Sequence, residues 1–104
     1  MADIRRDYSF SFIALVSVQI SGSVPTSPTV GQNYTLTCRV YGTDRPIAAY
    51  QWMKNGIRLT NQIQETLTFT SIMLSDAGQY TCEVTVESVQ YSTVEDINIA
   101  SKGQ

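Results

Sequence analysis

Hydrophobic and polar residues alternate in several short runs along the chain, which is the pattern that half-buried β-strands produce. No window carries the i, i+3, i+4, i+7 repeat of an amphipathic helix. The alternating runs cover residues 8–20, 33–41, 49–54, 57–59, 65–72, 79–86 and 92–100. Short strands separated by turns at such intervals predict an all-β fold in which two sheets pack face to face.

The first run is longer than the others. Every second residue is apolar from Tyr8 to Ile20, which predicts one very long strand or two strands joined end to end. Pro25 and Pro28 follow, and a central strand excludes proline because proline cannot donate a ladder hydrogen bond. We therefore expect an edge strand that kinks or switches sheets here.

A tight hairpin is predicted at Asn55-Gly56, because both residues tolerate positive φ and favour a type I′ turn. It would fold residues 49–54 back onto residues 57–59. The parity of the runs also assigns their inward faces. The expected inward residues are Tyr34, Leu36, Cys38, Val40, Tyr50, Trp52, Leu67, Phe69, Tyr80, Cys82, Val84, Val86, Ile97 and Ile99.

The composition fits one small globular domain, since 104 residues are enough for one core and too few for two. With 42% hydrophobic residues and a net charge of -2, the chain is neither disordered in composition nor basic enough to suggest a nucleic-acid partner. The chain contains no histidine, which removes the commonest general base and the Ser-His and Cys-His nucleophile pairs.

Cys38 and Cys82 are the two cysteines of the chain. Alone they cannot fill a four-ligand zinc site, and they are too far apart for a CxxC redox motif, so we expect no metal and no cofactor. They are best interpreted as one long-range disulfide, which would stabilise the domain by roughly 4 kcal/mol in the chain-entropy model. Such a bond implies an oxidising compartment.

The N-terminal apolar run follows two arginines, as in a secretory signal. Asp3 and Asp7 dilute the positive end, serines interrupt the apolar part, and no small-x-small cleavage site follows cleanly. The run is also too short and too polar to span a bilayer. We expect neither a signal peptide nor direct membrane insertion by this chain.

Three motifs together resemble the immunoglobulin superfamily: TLTC at 35–38, QWMKNG at 51–56 and LTFTSIMLSDAGQYTC at 67–82. The resemblance extends over residues 16–100 and implies a two-sheet Greek-key immunoglobulin-like β-sandwich with one inter-sheet disulfide. In the lettering of immunoglobulin strands, Trp52 would lie on strand C and Leu67 on strand E. Residues 53–66 between them leave no room for a C″ strand and little for a D strand. This spacing favours a short I-set or constant-2-like domain over an antibody variable domain.

The resemblance also implies structural roles for the SDAGQYTC segment. Tyr80 would form a tyrosine corner, its hydroxyl bonding a backbone group a few residues upstream. Gly78 would give the turn freedom in φ, and Asp76 would accept backbone amides or pair with a basic residue. No Arg or Lys lies between Arg58 and Asp76, which leaves that ion pair open.

Two surface features are candidates for function. Asn33-Tyr34-Thr35 is the only N-x-S/T sequon, and Asn33 should point outward. The second is an outward sheet face, which is either solvated or a partner surface; its candidate residues are Gln51, Met53, Glu83, Thr85 and Glu87. Because Glu83 and Glu87 would lie on an open face without a pocket, we expect no catalysis.

Tyr8, Phe10 and Phe12 precede the expected first strand and have no assigned core. Residues 1–14 are interpreted as a linker from a preceding domain or residues introduced by cloning, or as a strand that pairs with a neighbouring domain or a second copy. Residues 15–100 would form the domain and 101–104 a tail. Asp44 and Arg45 lie in the loop after the second run, and residues 87–91 would form the turn after the sixth run. Both loops would lie at one end of the sandwich.

The resulting expectation is an extracellular, cell-surface module of a receptor or adhesion protein that mediates protein–protein recognition and domain spacing. Its partner would be a protein ligand, a neighbouring immunoglobulin domain or a second copy of the chain in a homodimer. Two alternatives stay open: a structural domain of an intracellular giant muscle-type protein, and a secreted immune-type recognition domain.

Overall fold

The computed structural model describes residues 16–23 and 27–101, which form two antiparallel sheets. The three-stranded sheet has the order β1-β2-β5, and the four-stranded sheet has the order β4-β3-β6-β7. The strands are β1 (Ser17–Gly22), β2 (Tyr34–Tyr41), β3 (Ala49–Lys54), β4 (Ile57–Arg58), β5 (Thr66–Phe69), β6 (Gly78–Val86) and β7 (Val89–Ile97), with a 3₁₀ helix at Leu74–Asp76. The predicted all-β sandwich is confirmed.

The core lies between the sheets and is built from alternate residues of facing strands. On β2 the buried side chains are Tyr34, Leu36 and Cys38, and the residues between them are more exposed. Trp52 on β3 lies directly opposite Cys82 on β6 and is fully buried. The other buried apolar residues are Leu67, Ile72, Tyr80, Val84, Val86 and Ile97. Period-two alternation produces this division because successive side chains point to opposite faces of a sheet.

The predicted switch between sheets occurs after β1. β1 pairs with β2, but Thr29 forms a parallel bridge with Ala100, just beyond the end of β7 in the other sheet. Ala100 donates to the carbonyl of Pro28 at 2.9 Å and accepts from Val30 at 3.0 Å. Proline is tolerated because Pro28 contributes only an acceptor at this edge.

The predicted hairpin forms at Asn55-Gly56, where φ is +51° and +84°. These values match a type I′ turn, whose twist suits two antiparallel strands. The turn is held against β6, since Asn55 donates its backbone N–H to Gln79 at 2.7 Å and its Oδ1 accepts from the Gln79 N–H at 2.9 Å. From Arg58 the chain crosses to β5, and no C″ or D strand occurs among the described residues.

Candidate functional site

One covalent bond joins the two sheets. Cys38 on β2 and Cys82 on β6 form a disulfide with a Cα–Cα distance of 6.2 Å, and both residues are buried. Trp52 fills the space beside it and donates its indole N–H to the Gln64 carbonyl at 2.8 Å. Both cysteines of the chain are thus committed to structure, which leaves no free thiol as nucleophile or metal ligand.

Tyr80 forms the corner that its position before Cys82 predicts. Its hydroxyl donates to the carbonyl oxygen of Asp76 at 2.5 Å, and its ring meets Phe69 edge-on at 5.6 Å between centroids. Burial raises the pKa of Tyr80 to about 12, and the negative charge of Asp76 adds to the effect. The hydroxyl therefore stays protonated and acts as a hydrogen-bond donor.

Asp76 serves the same turn through its side chain. Its Oδ2 accepts the Met73 backbone N–H at 2.8 Å, and no ion pair of Asp76 occurs within the described part of the chain. A basic residue does reach the turn, because Lys54 of β3 donates from Nζ to the Ser75 carbonyl at 2.5 Å. Gly78 has φ of +153°, a conformation that residues with a Cβ rarely adopt. The SDAGQYTC segment is therefore a structural frame.

Four of the five predicted partner residues lie on the outer face of the four-stranded sheet, namely Gln51, Met53, Glu83 and Thr85. Gln51 is paired in register with Glu83, and Thr85 lies opposite Ala49. Beside them is a shallow depression with a cavity volume of about 350 Å³. Its lining includes Gln51, Arg58, Ile63, Glu83, Thr85 and Gln90. Met53 pairs with Thr81 further along β3 and is outside the lining.

Arg58 and Ile63 also line this depression, although neither was predicted as a partner residue. They add a positive charge and an exposed apolar side chain to the face. Arg58 Nη2 lies 3.7 Å from Glu83 Oε1, and the Glu83 side chain is only 19% exposed, whereas that of Arg58 is 63% exposed. Ile63 is 60% exposed at the rim of the depression. It lies in the crossing from β4 to β5, where no alternation marks which side chains face outward.

Gln51 points outward as parity predicts, yet its amide is used within the domain. Nε2 donates to the carbonyls of Trp52 at 2.8 Å and Leu59 at 3.1 Å, with a longer contact of 3.4 Å to Gln62. Trp52 is the next residue of β3, whereas Leu59 and Gln62 belong to the segment that returns alongside β3 after the hairpin. Gln51 therefore holds that segment in place, and its amide N–H groups are not presented to a partner.

Glu87 was expected on the sheet face with Glu83, and this expectation is wrong. β6 ends at Val86, and Glu87 and Ser88 form a two-residue turn with φ of +49° and +70°. Glu87 Oε2 lies 3.4 Å from Arg45 Nε in the loop after β2. The turn is also shorter than the expected 87–91, because β7 begins at Val89.

That end of the sandwich carries a second cleft of about 340 Å³. It lies between the β2–β3 loop and the start of β5, and its lining includes Tyr41, Asp44, Arg45, Ile47, Tyr50 and Glu65. Burial, followed by the charge of Glu65, raises the pKa of Tyr50. The cleft thus combines aromatic, cationic and anionic groups at the loop end.

The profile described as "Immunoglobulin domain" matches residues 18–85, which is more than half of the chain. The chain belongs to the immunoglobulin-domain family. A comparison with curated protein sequences gives no match.

Solved structures of immunoglobulin domains are similar over most of the chain. One of them is a Dscam chain from a structure that describes the basis of Dscam isoform specificity. It is 26% identical over 84% of this chain, with a TM-score of 0.66. The Dscam1 isoform 4.44 structure, with four N-terminal immunoglobulin domains, gives the same values. The Ig1–Ig3 ectodomain of mouse nectin-like molecule 4 is 25% identical over 86%, with a TM-score of 0.70.

The immunoglobulin domain spans only part of these proteins. It covers 21% of each of the two Dscam chains and 31% of the nectin-like chain. Within residues 16–23 and 27–101 there is no helix long and apolar enough to cross a membrane, and no cluster of three or more metal-ligating His, Cys, Asp or Glu residues.

Two further candidates remain. Asn33 is exposed immediately before β2, at the end of the sandwich opposite the Arg45–Glu87 pair. Tyr8, Phe10 and Phe12 lie outside the described residues.

Proposed function

We propose that this immunoglobulin domain is an extracellular module of a cell-surface receptor or adhesion protein. It would mediate protein–protein recognition and set the spacing between neighbouring domains, with residues 15–100 as the domain, 1–14 as its N-terminal extension and 101–104 as a tail. Any catalytic activity of the parent protein would lie elsewhere.

The observation that carries the proposal is the disulfide between Cys38 and Cys82 at the centre of the core. Disulfides persist in oxidising compartments and are rare in the cytosol. An intracellular muscle-type domain of the same fold would keep both thiols reduced, so this bond favours the extracellular alternative. The ectodomain of mouse nectin-like molecule 4 and the four-domain Dscam1 structure support a place among tandem immunoglobulin domains.

The partner surface is proposed to be the outer face of β3 and β6 around the depression. Met53 is half-buried there, and Ile63 offers exposed apolar area, while Arg58 and Glu83 supply opposite charges at one point. Apolar and Arg contacts combined with a polar rim are typical of protein interfaces. The outer face of the three-stranded sheet offers instead rows of threonines, with Thr35 Oγ1 3.4 Å from Thr68 Oγ1.

A second candidate surface is the loop-end cleft, as expected for an immune-type recognition domain. Its support is the cavity of about 340 Å³ beside the Arg45–Glu87 ion pair. Loops at this end of immunoglobulin domains are free to vary without changing the core.

A binding experiment distinguishes the two candidate surfaces. The domain is clustered by multimerisation, and its binding to the surface of cells from its source is measured. Thr85→Arg places a long charged side chain in the sheet depression, and Arg45→Glu reverses a charge at the loop-end cleft. Thr68→Arg is the matched control, because Thr68 is exposed on the opposite sheet. We expect Thr85→Arg to abolish binding while Thr68→Arg leaves it unchanged.

Loss of binding in Arg45→Glu alone would support the loop-end candidate and refute the sheet-face candidate. Equal binding by all variants, each with the thermal unfolding midpoint of the parent domain, would refute both surfaces. Sedimentation of the unclustered domain over a range of concentrations separately tests whether a second copy occupies the same face.

A further inference from the structure

Asn33 is displayed from a backbone that is fixed on both sides. Gly31 donates its N–H to the Ile72 carbonyl at 2.8 Å, and Ile72 donates to the Gln32 carbonyl at 2.8 Å. The Ser71 N–H then donates to Oδ1 of Asn33 at 3.1 Å. Three successive residues are thus bound to the segment that follows β5, which holds the Asn33 side chain in one direction.

The two polar atoms of the Asn33 amide have different environments. Oδ1 accepts the Ser71 N–H, whereas Nδ2 makes no hydrogen bond within residues 16–23 and 27–101. Residues 31–33 and 70–71 are all exposed, so the Asn33 amide lies on a solvent-accessible part of the surface. A substituent on Nδ2 would enter that solvent and leave the bond from Ser71 to Oδ1 intact.

Thr35 completes the sequon on the same face of β2. Its Oγ1 lies 3.4 Å from Thr68 Oγ1 at the surface, and its backbone N–H donates to Ser23 Oγ at 3.0 Å. The hydroxyl is therefore not buried in the core. The folded domain can accommodate a modification that requires Asn and Thr two positions apart.

We infer that Asn33 is an N-glycosylation site of this domain, an inference that rests on its proposed passage through the secretory pathway. The donor is an oligosaccharide linked to a lipid pyrophosphate. Nδ2 forms a bond to the anomeric carbon of the first sugar, while the bond from that carbon to the pyrophosphate oxygen breaks. The electron pair leaves with the lipid pyrophosphate, and Nδ2 loses one proton to a base of the transferring enzyme.

A glycan on Asn33 would cover one sheet of the domain and leave the other accessible. Asn33 lies immediately before the first residue of β2 and next to the end of β5, so a bulky hydrated sugar there covers part of the three-stranded sheet near Thr68. The depression on the four-stranded sheet remains open. Glycosylation and the proposed partner face thus occupy opposite sides of the sandwich.

The test is the mass of the full chain after entry into the secretory pathway of eukaryotic cells behind an added signal peptide. The whole translocated pool is measured before and after treatment with a peptide N-glycosidase. We expect one N-linked oligosaccharide per chain, with aspartate at position 33 after enzymatic release in heavy-oxygen water. Since the chain has one sequon, the added mass has a unique assignment.

Four variants define the site. Asn33→Gln and Thr35→Val should abolish the added mass, while Thr35→Ser should retain it because serine completes the sequon. Thr37→Val is the matched control, since Thr37 is the next outward threonine of β2 and belongs to no sequon. Added mass that persists in Asn33→Gln, or its absence from the parent chain, would overturn the inference.

A thiol count on the same material separates this inference from the proposed function. A chain without free thiols and without a glycan would contradict the modification alone. A glycosylated chain with two free thiols would contradict the proposed extracellular domain and leave Asn33 as a competent acceptor.

Discussion

The hydroxyl of Tyr80 lies 2.5 Å from the carbonyl oxygen of Asp76, four residues earlier in the chain. The bond spans the turn between the 3₁₀ helix and β6 and closes one end of the core. Lys54 reinforces the turn from β3, with Nζ 5.9 Å from the centre of the Tyr80 ring. The turn is therefore held by a phenol, a carboxylate and a lysine that come from two different parts of the chain.

Replacing Tyr80 with Phe should reduce the free energy of unfolding by about 1 kcal/mol or more, because the Asp76 carbonyl loses its donor in a part-buried place. The ring and its contact with Phe69 are retained, so the change isolates the hydroxyl. Urea unfolding measures the difference. Tyr41→Phe is the control, since Tyr41 is 49% exposed, and an unchanged midpoint for Tyr80→Phe would show that the corner contributes no stability.

The raised pKa of Tyr80 makes stability depend on alkaline pH. Because the folded state binds the phenol proton more tightly, with a pKa of about 12 against 10.0 for the free side chain, this contribution is complete below pH 10. It is lost as the pH rises from 10 through about 12. Unfolding midpoints across this range should fall more steeply for the parent domain than for Tyr80→Phe, and parallel curves would contradict the assignment.

Gly22 should not tolerate a methyl group. A Cβ at this position would overlap the hydroxyl oxygen of Tyr34 and lie 2.9 Å from its Cζ. Tyr34 is 3% exposed and cannot move without disturbing the core. Gly22→Ala should therefore destabilise the domain by about 1–3 kcal/mol, as measured by urea unfolding. Gln19→Ala, at an exposed position of the same strand, is expected to be neutral, and equal midpoints for the two variants would refute the contact.

Gln51→Glu should destabilise the domain by about 1–3 kcal/mol, because it replaces the donor Nε2 with a carboxylate oxygen that faces the Trp52 and Leu59 carbonyls. Gln90→Glu introduces the same change at an exposed position of β7. Its effect should stay within about 0.5 kcal/mol. If chemical denaturation gave the same midpoint for both variants, Gln51 would have no structural role.

The inward faces of the strands were predictable because the parity of each strand depends only on local order, and the spacing of Cys38, Trp52 and Cys82 matches the pattern of the immunoglobulin superfamily. Trp52 and Cys82 indeed lie opposite each other in register. Tyr80 was also predictable, since its partner at Asp76 is close in sequence.

Contacts that neither strand parity nor a family motif marks could not be predicted in the same way. The alternation through residues 79–86 does not show that the strand ends before Glu87. Glu87 and Ser88 adopt positive φ in the turn, although neither is a glycine or an asparagine, the residues that usually mark such a turn. Gln51 has the expected outward position, but two of its acceptors, the carbonyls of Leu59 and Gln62, belong to the crossing between β4 and β5. Ile63 lies in that crossing, where no periodic pattern exists.

The oxidation state of Cys38 and Cys82 in the protein from its natural source tests the central claim most directly. The protein is denatured under non-reducing conditions with a thiol-alkylating reagent, and the modified peptides are identified by mass. We expect no alkylated cysteine and one peptide pair linked through Cys38 and Cys82. Alkylation of both residues would contradict an extracellular domain and support the intracellular alternative.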